Sequence, residues 1–223
     1  MANQLGLSWH RPGKRLGRRS IRACLLAGLG LITSRAAYAH HPFGGQTPAN
    51  SIEGFLSGLG HPVIGIDHLA FVIAIGLMAA ILRPGLWVPV AFLTTALLGT
   101  GIHLQRWDLL APEFFISTSI LIFGGLLAFR QSPNLWLTTG LAAIAGIFHG
   151  YAYGEAIVGA EMTPLVSYLV GFSMIQLAIT ALAYVCGRAL NARSIDGSVL
   201  PTRFAGFAIA GMGLAFLSSV LLG

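Results

Sequence analysis

Six apolar segments, at about 62–82, 86–104, 112–129, 135–159, 165–187 and 204–222, dominate this chain of 223 residues. An α-helix needs roughly 20 apolar residues to cross the hydrocarbon core of a bilayer. Charged residues make up 9% of the sequence and hydrophobic ones 55%, where soluble domains carry about 25% charge. A backbone in lipid must satisfy its own hydrogen bonds, and runs of this length do so as helices. The expected fold class is therefore an all-α polytopic membrane protein, with residues 40–223 forming one six-helix transmembrane domain. Arg83-Pro84-Gly85, Gln131-Ser132-Pro133-Asn134, Thr163-Pro164 and Asp196-Gly197 supply the breaks between spans.

The N-terminal 39 residues read differently. Arg11, Lys14, Arg15, Arg18, Arg19 and Arg22 precede a ten-residue apolar run, Ala23 to Ile32. That run is too short to span a bilayer and suits a signal-peptide core, with Ala37-Tyr38-Ala39 as the cleavage site. Cleavage after Ala39 leaves six arginines against seven acids, so the basic character of the whole chain argues for no nucleic-acid partner. It also places the mature N-terminus outside. The 83–85, 130–134 and 188–203 connectors are then cytoplasmic and hold Arg83, Arg130, Arg188, Arg193 and Arg203, against Arg106 outside. This bias obeys the positive-inside rule and predicts both mature ends on the periplasmic side of a bacterial cytoplasmic membrane. Cys186 is expected to be a small core residue, and the cysteines provide no disulfide framework.

Against this background the ionisable residues inside the spans stand out. An ionisable side chain at membrane depth costs roughly 2.5–3.5 kcal/mol and as a rule marks a pathway or a site. His61, Asp67 and His68 lie in the first span, His103 ends the second, and His149 and Glu155 lie in the fourth. The expected topology puts all six between the outer surface and the midplane. Imidazole and carboxylate together suit a divalent first-row metal ion. His40 and His41, opening the mature chain, could collect such an ion outside. Each group also has a plain structural reading: His61 as a helix cap, His103 as an interfacial residue, His149 as a cross-helix hydrogen bonder.

On a straight helix His61 and His68 stand ~10 Å apart along the axis, too far to share an ion unless the segment is irregular. Glu155 points ~120° from His149, which suggests a break at Gly150 or Gly154. Gly146, Gly150 and Gly154 otherwise form a stripe for close helix approach. Ser117, Thr118, Ser119 and Gln176 are expected to bond across helices. His61-x5-Asp67 and His149-x5-Glu155 lie in spans of opposite orientation, as an inverted three-plus-three repeat requires.

The run His61-Pro62-Val63-Ile64-Gly65-Ile66-Asp67-His68 resembles the signature of the HupE/UreJ family, permeases associated with hydrogenase and urease accessory genes. The second family motif looks like Phe-His-Gly-x-Ala-His-Gly-x-Glu. Phe148, His149, Gly150, Ala152 and Gly154 match it, Tyr153 stands where the family often has histidine, Ala156 stands at the acid position and Glu155 comes one place early. The resemblance implies a cleaved signal, six spans and transport of Ni²⁺ or Co²⁺. It involves no prosthetic group, with the metal ion and the lipid bilayer as partners, and it leaves a homo-oligomer open. A phenol in place of imidazole is a poorer donor for Ni²⁺ and brings Co²⁺ into consideration. Two other classes compete with a non-enzymatic permease. One is an intramembrane zinc hydrolase, the other a metal-free membrane accessory protein for metalloenzyme maturation.

Overall fold

The computed structural model describes residues 47–129, 131–192 and 199–223, all within the unit formed by residues 37–223. The presequence, His40 and His41 lie outside the described residues. Among those described there are seven α-helices and no strand: α1 (Ser51–Ile64), α2 (Ile66–Ile81), α3 (Trp87–Leu104), α4 (Pro112–Ala128), α5 (Leu135–Glu155), α6 (Met162–Ala192) and α7 (Leu200–Leu222). Of these, α3, α5, α6 and α7 are long and apolar enough to cross a membrane, and α4 is an apolar helix of 17 residues. The faces turned away from the bundle are apolar too. Leu97 and Leu98 on α3, Leu137 and Ile144 on α5, Leu177 and Leu182 on α6 and Phe204 and Phe207 on α7 are all exposed. An apolar exterior over an apolar core is the pattern of helices solvated by lipid. Cys186 is exposed rather than a core residue, because it falls on the outward face of α6.

The first predicted span begins earlier than its hydropathy suggests, and it is broken. Helix α1 starts at Asn50, whose side-chain oxygen accepts from the Ile52 and Glu53 backbone N–H groups, while the Glu53 carboxylate accepts from Ala49 N–H at 2.8 Å. This is a variant of the capping box over Asn50-x-x-Glu53, with the carboxylate reaching back to the Ala49 N–H and the Asn50 side chain. Pro62 removes a backbone donor near the end of α1, and Gly65 adopts an extended conformation (φ −73°, ψ 97°). Helices α1 and α2 consequently meet at a bend of 80°. The second predicted break is absent: α5 runs without interruption through Gly150 and Gly154 to Glu155.

Those glycines serve helix packing instead. A methyl group at Gly146 would meet the Phe92 carbonyl, one at Gly150 the Ala96 carbonyl, and one at Gly154 the His103 Cβ at 2.6 Å. Helix α3 answers with Gly99, which faces the Ile147 carbonyl. The contacts advance in step, so α3 and α5 run in the same direction. Along α6, Gly58 of α1 meets Tyr168 and Gly76 of α2 meets Thr180, again in step. Helices α4 and α7 pair in opposite directions, through Gly124 with Ala210 and Gly213 with Leu121.

These three are the principal pairings: α3 with α5, α1 and α2 with α6, and α4 with α7. Exchanging the first three spans (α1–α2, α3, α4) for the last three (α5, α6, α7) leaves the set unchanged. The smaller α4–α5 and α2–α7 contacts exchange in the same way. These pairings have the symmetry of the inverted repeat that the two spaced motifs hint at, while the α2–α4 contact departs from it, having no comparable α5–α7 counterpart.

Candidate functional site

The bend at Gly65 decides the geometry of the site. It folds the last turn of α1 back on the first turn of α2, so that the His61 and His68 ring centroids stand 5.8 Å apart. Both rings are buried, and His149 of α5 is fully buried beside them. His68 Nδ1 and His149 Nδ1 lie 2.9 Å apart. The Tyr153 ring sits 4.5 Å from that of His68 and 5.2 Å, edge-on, from that of His61. Phe71 stacks on His149 at 4.3 Å and shields it from below.

The surrounding hydrogen bonds engage the ring nitrogens in a defined order. Ser119 Oγ donates to the Ile116 carbonyl at 2.7 Å, which uses its only hydrogen. At 3.0 Å from His149 Nε2 it must therefore accept, so His149 carries its proton on Nε2. His149 Nδ1 is then an acceptor, and the proton in the short contact between the two imidazoles belongs to His68 Nδ1. A parallel chain holds His61. Tyr168 Oη donates to the Tyr153 carbonyl at 2.7 Å and accepts from His61 Nδ1 at 3.3 Å. His61 and His68 thus each engage the protein through Nδ1, at Tyr168 Oη and at His149 Nδ1.

Of the eight residues that the sequence marks, this brings together His61, His68 and His149. Asp67 opens α2 alongside them. Its Oδ1 accepts from the His68 backbone N–H at 2.8 Å, and its charge reaches Tyr153. Both nitrogens of His149 are engaged, which makes it the holder of His68 rather than a third donor of the same kind. Glu155 is exposed at the end of α5, away from the imidazoles. An unbroken α5 leaves it on another face, as ideal helix geometry requires. His103 is partly exposed, with its ring 4.3 Å from Tyr151 and within reach of the charges of Glu155 and Asp108. Among the described residues, no three His, Cys, Asp or Glu side chains converge as a ready-made metal cage.

Sequence reasoning missed Tyr168 altogether and gave Ser119 only a generic role. A tyrosine two helical turns before Gln176 in the same span was the available signal. Ser119 does bond across helices as expected, but to the ring of His149. Ser119→Ala should leave His149 Nε2–H without its acceptor and loosen the tautomer of His68. The loss of such an outer partner weakens metal affinity by about 10–100-fold. Equilibrium Co²⁺ binding to the purified protein, together with ¹⁵N chemical shifts of the histidine rings, checks this. Unchanged shifts and affinity would remove Ser119 from the network.

An all-helical membrane protein that buries three imidazoles at a broken helix, between two halves of matching pairing, is the class that these observations define. The chain belongs to the HupE/UreJ family: the HupE / UreJ protein family matches residues 27–216. Among curated proteins it is similar to Protein HupE of Rhizobium leguminosarum bv. viciae, at 30% identity over 168 residues, covering 74% of this chain and 85% of the relative. No solved structure matches it significantly.

Proposed function

We propose that this protein is a permease for a divalent transition metal ion, Ni²⁺ or Co²⁺, taking it up across the cytoplasmic membrane without a prosthetic group. The observation that carries the reading is the convergence of the buried His61 and His68 rings at the Gly65 break. With metal–nitrogen bonds of ~2.0–2.1 Å, as imidazole makes to zinc, two imidazole centroids on one ion stand roughly 4.5–6 Å apart. The 5.8 Å between these rings falls within that range. His61 and His68 then supply imidazole donors, Asp67 supplies the opposing charge, and His149 and Tyr168 hold the rings through Nδ1. Broken helices at the interface of inverted halves are a recurrent way of building transport sites. A site with few donors also suits an ion that must leave again. His103 and Glu155, near the end of α3 and α5 that the arginine bias places outside, fit an approach to this site, with His40 and His41 preceding it.

The test is uptake of radiolabelled Ni²⁺ and Co²⁺, singly and in competition, by liposomes containing the full-length protein. Saturable accumulation of either ion supports the permease. Metal-dependent hydrolysis without accumulation would favour an intramembrane hydrolase, and neither activity a metal-free accessory role. Tyr153→His places an imidazole against His68 and should raise the apparent affinity, more for Ni²⁺ than for Co²⁺, while lowering the maximal rate because release slows. Concentration dependence for both ions checks this, and unchanged affinity and selectivity would mean that Tyr153 only packs.

A further inference from the structure

Gln176, in the middle of α6, is fully buried, and among the described residues neither its amide oxygen nor its amide nitrogen has a hydrogen-bond partner. Buried polar groups are nearly always paired, and an exception calls for a water or an ion. The Thr180 hydroxyl, one turn along, is buried and unpartnered as well, and so is the Tyr153 hydroxyl. Thr94, Thr95 and Thr100 donate to carbonyls of their own helix, whereas Thr118 and Thr139 are unpartnered too.

The positions of these groups follow from the helix register. Tyr168, Phe172, Gln176 and Thr180 lie a turn apart on the buried face of α6. Tyr168 holds His61, and Phe172 meets Tyr153 edge-on at 4.6 Å, so this end of the stripe belongs to the histidine site. Gln176 and Thr180 lie ~6 and ~12 Å further along the axis. Helix α2 keeps pace, since Gly76, ~12 Å beyond His68, packs against the Thr180 backbone. Gln176 and Thr180 therefore continue along α6 from the histidine site, where Tyr153 stands, toward the end marked by Arg83 and Arg188.

We propose that Tyr153, Gln176 and Thr180 line a hydrated leg through which a partly hydrated divalent cation leaves the histidine site toward the cytoplasm. This rests on the permease reading. Neutral oxygens bind a divalent ion or its water shell weakly, as a release path needs. Water in the leg would also satisfy the amide and the hydroxyls.

The experiment uses the full-length protein in liposomes and two variants. Gln176→Met keeps the volume and removes the amide. Its maximal Ni²⁺ or Co²⁺ uptake should fall about 10-fold or more, equivalent to ~1.4 kcal/mol, with Co²⁺ binding affinity and thermal stability unchanged. Full uptake by Gln176→Met overturns the proposal. If that variant fails to fold, Thr180→Val carries the same comparison. Gln176→Cys, in a Cys24→Ser and Cys186→Ser background, should react with a small water-soluble methanethiosulfonate. A thiol inert in folded protein overturns the hydrated leg. Wild-type protein that moves no metal would count against the permease reading instead, and thiol labelling would then decide the hydrated cavity by itself.

Discussion

His68→Ala protein should reach the membrane and bind Co²⁺ with affinity reduced by more than ~100-fold, with uptake reduced to background. Losing an outer partner of a ligand already costs about 10–100-fold, and His68 is proposed as the ligand itself. It is also the residue that joins the site. Its ring touches those of His61, Tyr153 and His149, so its loss removes one donor and strands the His149 acceptor. His68→Gln, which retains an N–H donor, should recover folding but not uptake. Asp67→Asn separates charge from shape, since the amide oxygen can still accept from the His68 N–H. Uptake should fall here as well, because the bound cation loses its counter-charge. Transport assays on folded, membrane-inserted protein measure both effects, and normal uptake by His68→Ala and Asp67→Asn would remove the proposed site.

Gly150→Ala should destabilise the bundle by about 3 kcal/mol or more, because the added methyl group collides with the Ala96 backbone, which cannot turn aside as a flexible side chain can. Helix α5 contains its own control. Gly140 has open space where a Cβ would stand, so Gly140→Ala should be neutral or stabilising by about 0.5–1 kcal/mol through better helix propensity. Thermal unfolding in detergent, followed by loss of the monodisperse species, compares the two. Equal stability of both variants would mean that α3 and α5 are not in close contact at Gly150. Gly150 lies next to His149, so the same collision would also shift the ring away from Ser119 and His68.

Much of this architecture could be read from composition and spacing, since lipid as a solvent leaves a chain few choices. Apolar runs must become helices, and the breaks at Arg83-Pro84-Gly85 and Gln131-Ser132-Pro133-Asn134 fall where helices end. The first motif marked His61, Asp67 and His68, and the bend at Gly65 brings the His61 and His68 rings closer than a straight helix allows. Reading failed where two explanations leave the same mark on a sequence. Glycine lowers helix propensity and also permits close packing. At Gly65, three residues after Pro62, the helix breaks, whereas at Gly150 and Gly154 the backbone of α3 fills the space and α5 stays straight. Glu155 was marked for its depth in the span, and the break that its angle suggested is absent, so it stays on another face of α5. The beginning of α1 was missed because its signal, Asn50-x-x-Glu53, is a capping pattern rather than a run of apolar residues.

What the sequence by itself determined is therefore the solvent, the helical class and the identity of the costly groups, because each is set by local composition and by the energy of placing a charge in hydrocarbon. The tertiary structure alone decided how those groups divide their roles. The His68–His149 contact joins residues 81 apart in the chain, and the His61–Tyr168 contact residues 107 apart. No spacing rule reaches across such distances. Which partner each imidazole nitrogen meets depends on which helix delivers the opposing hydroxyl or ring. That is settled by the packing of α4, α5 and α6 around an 80° bend.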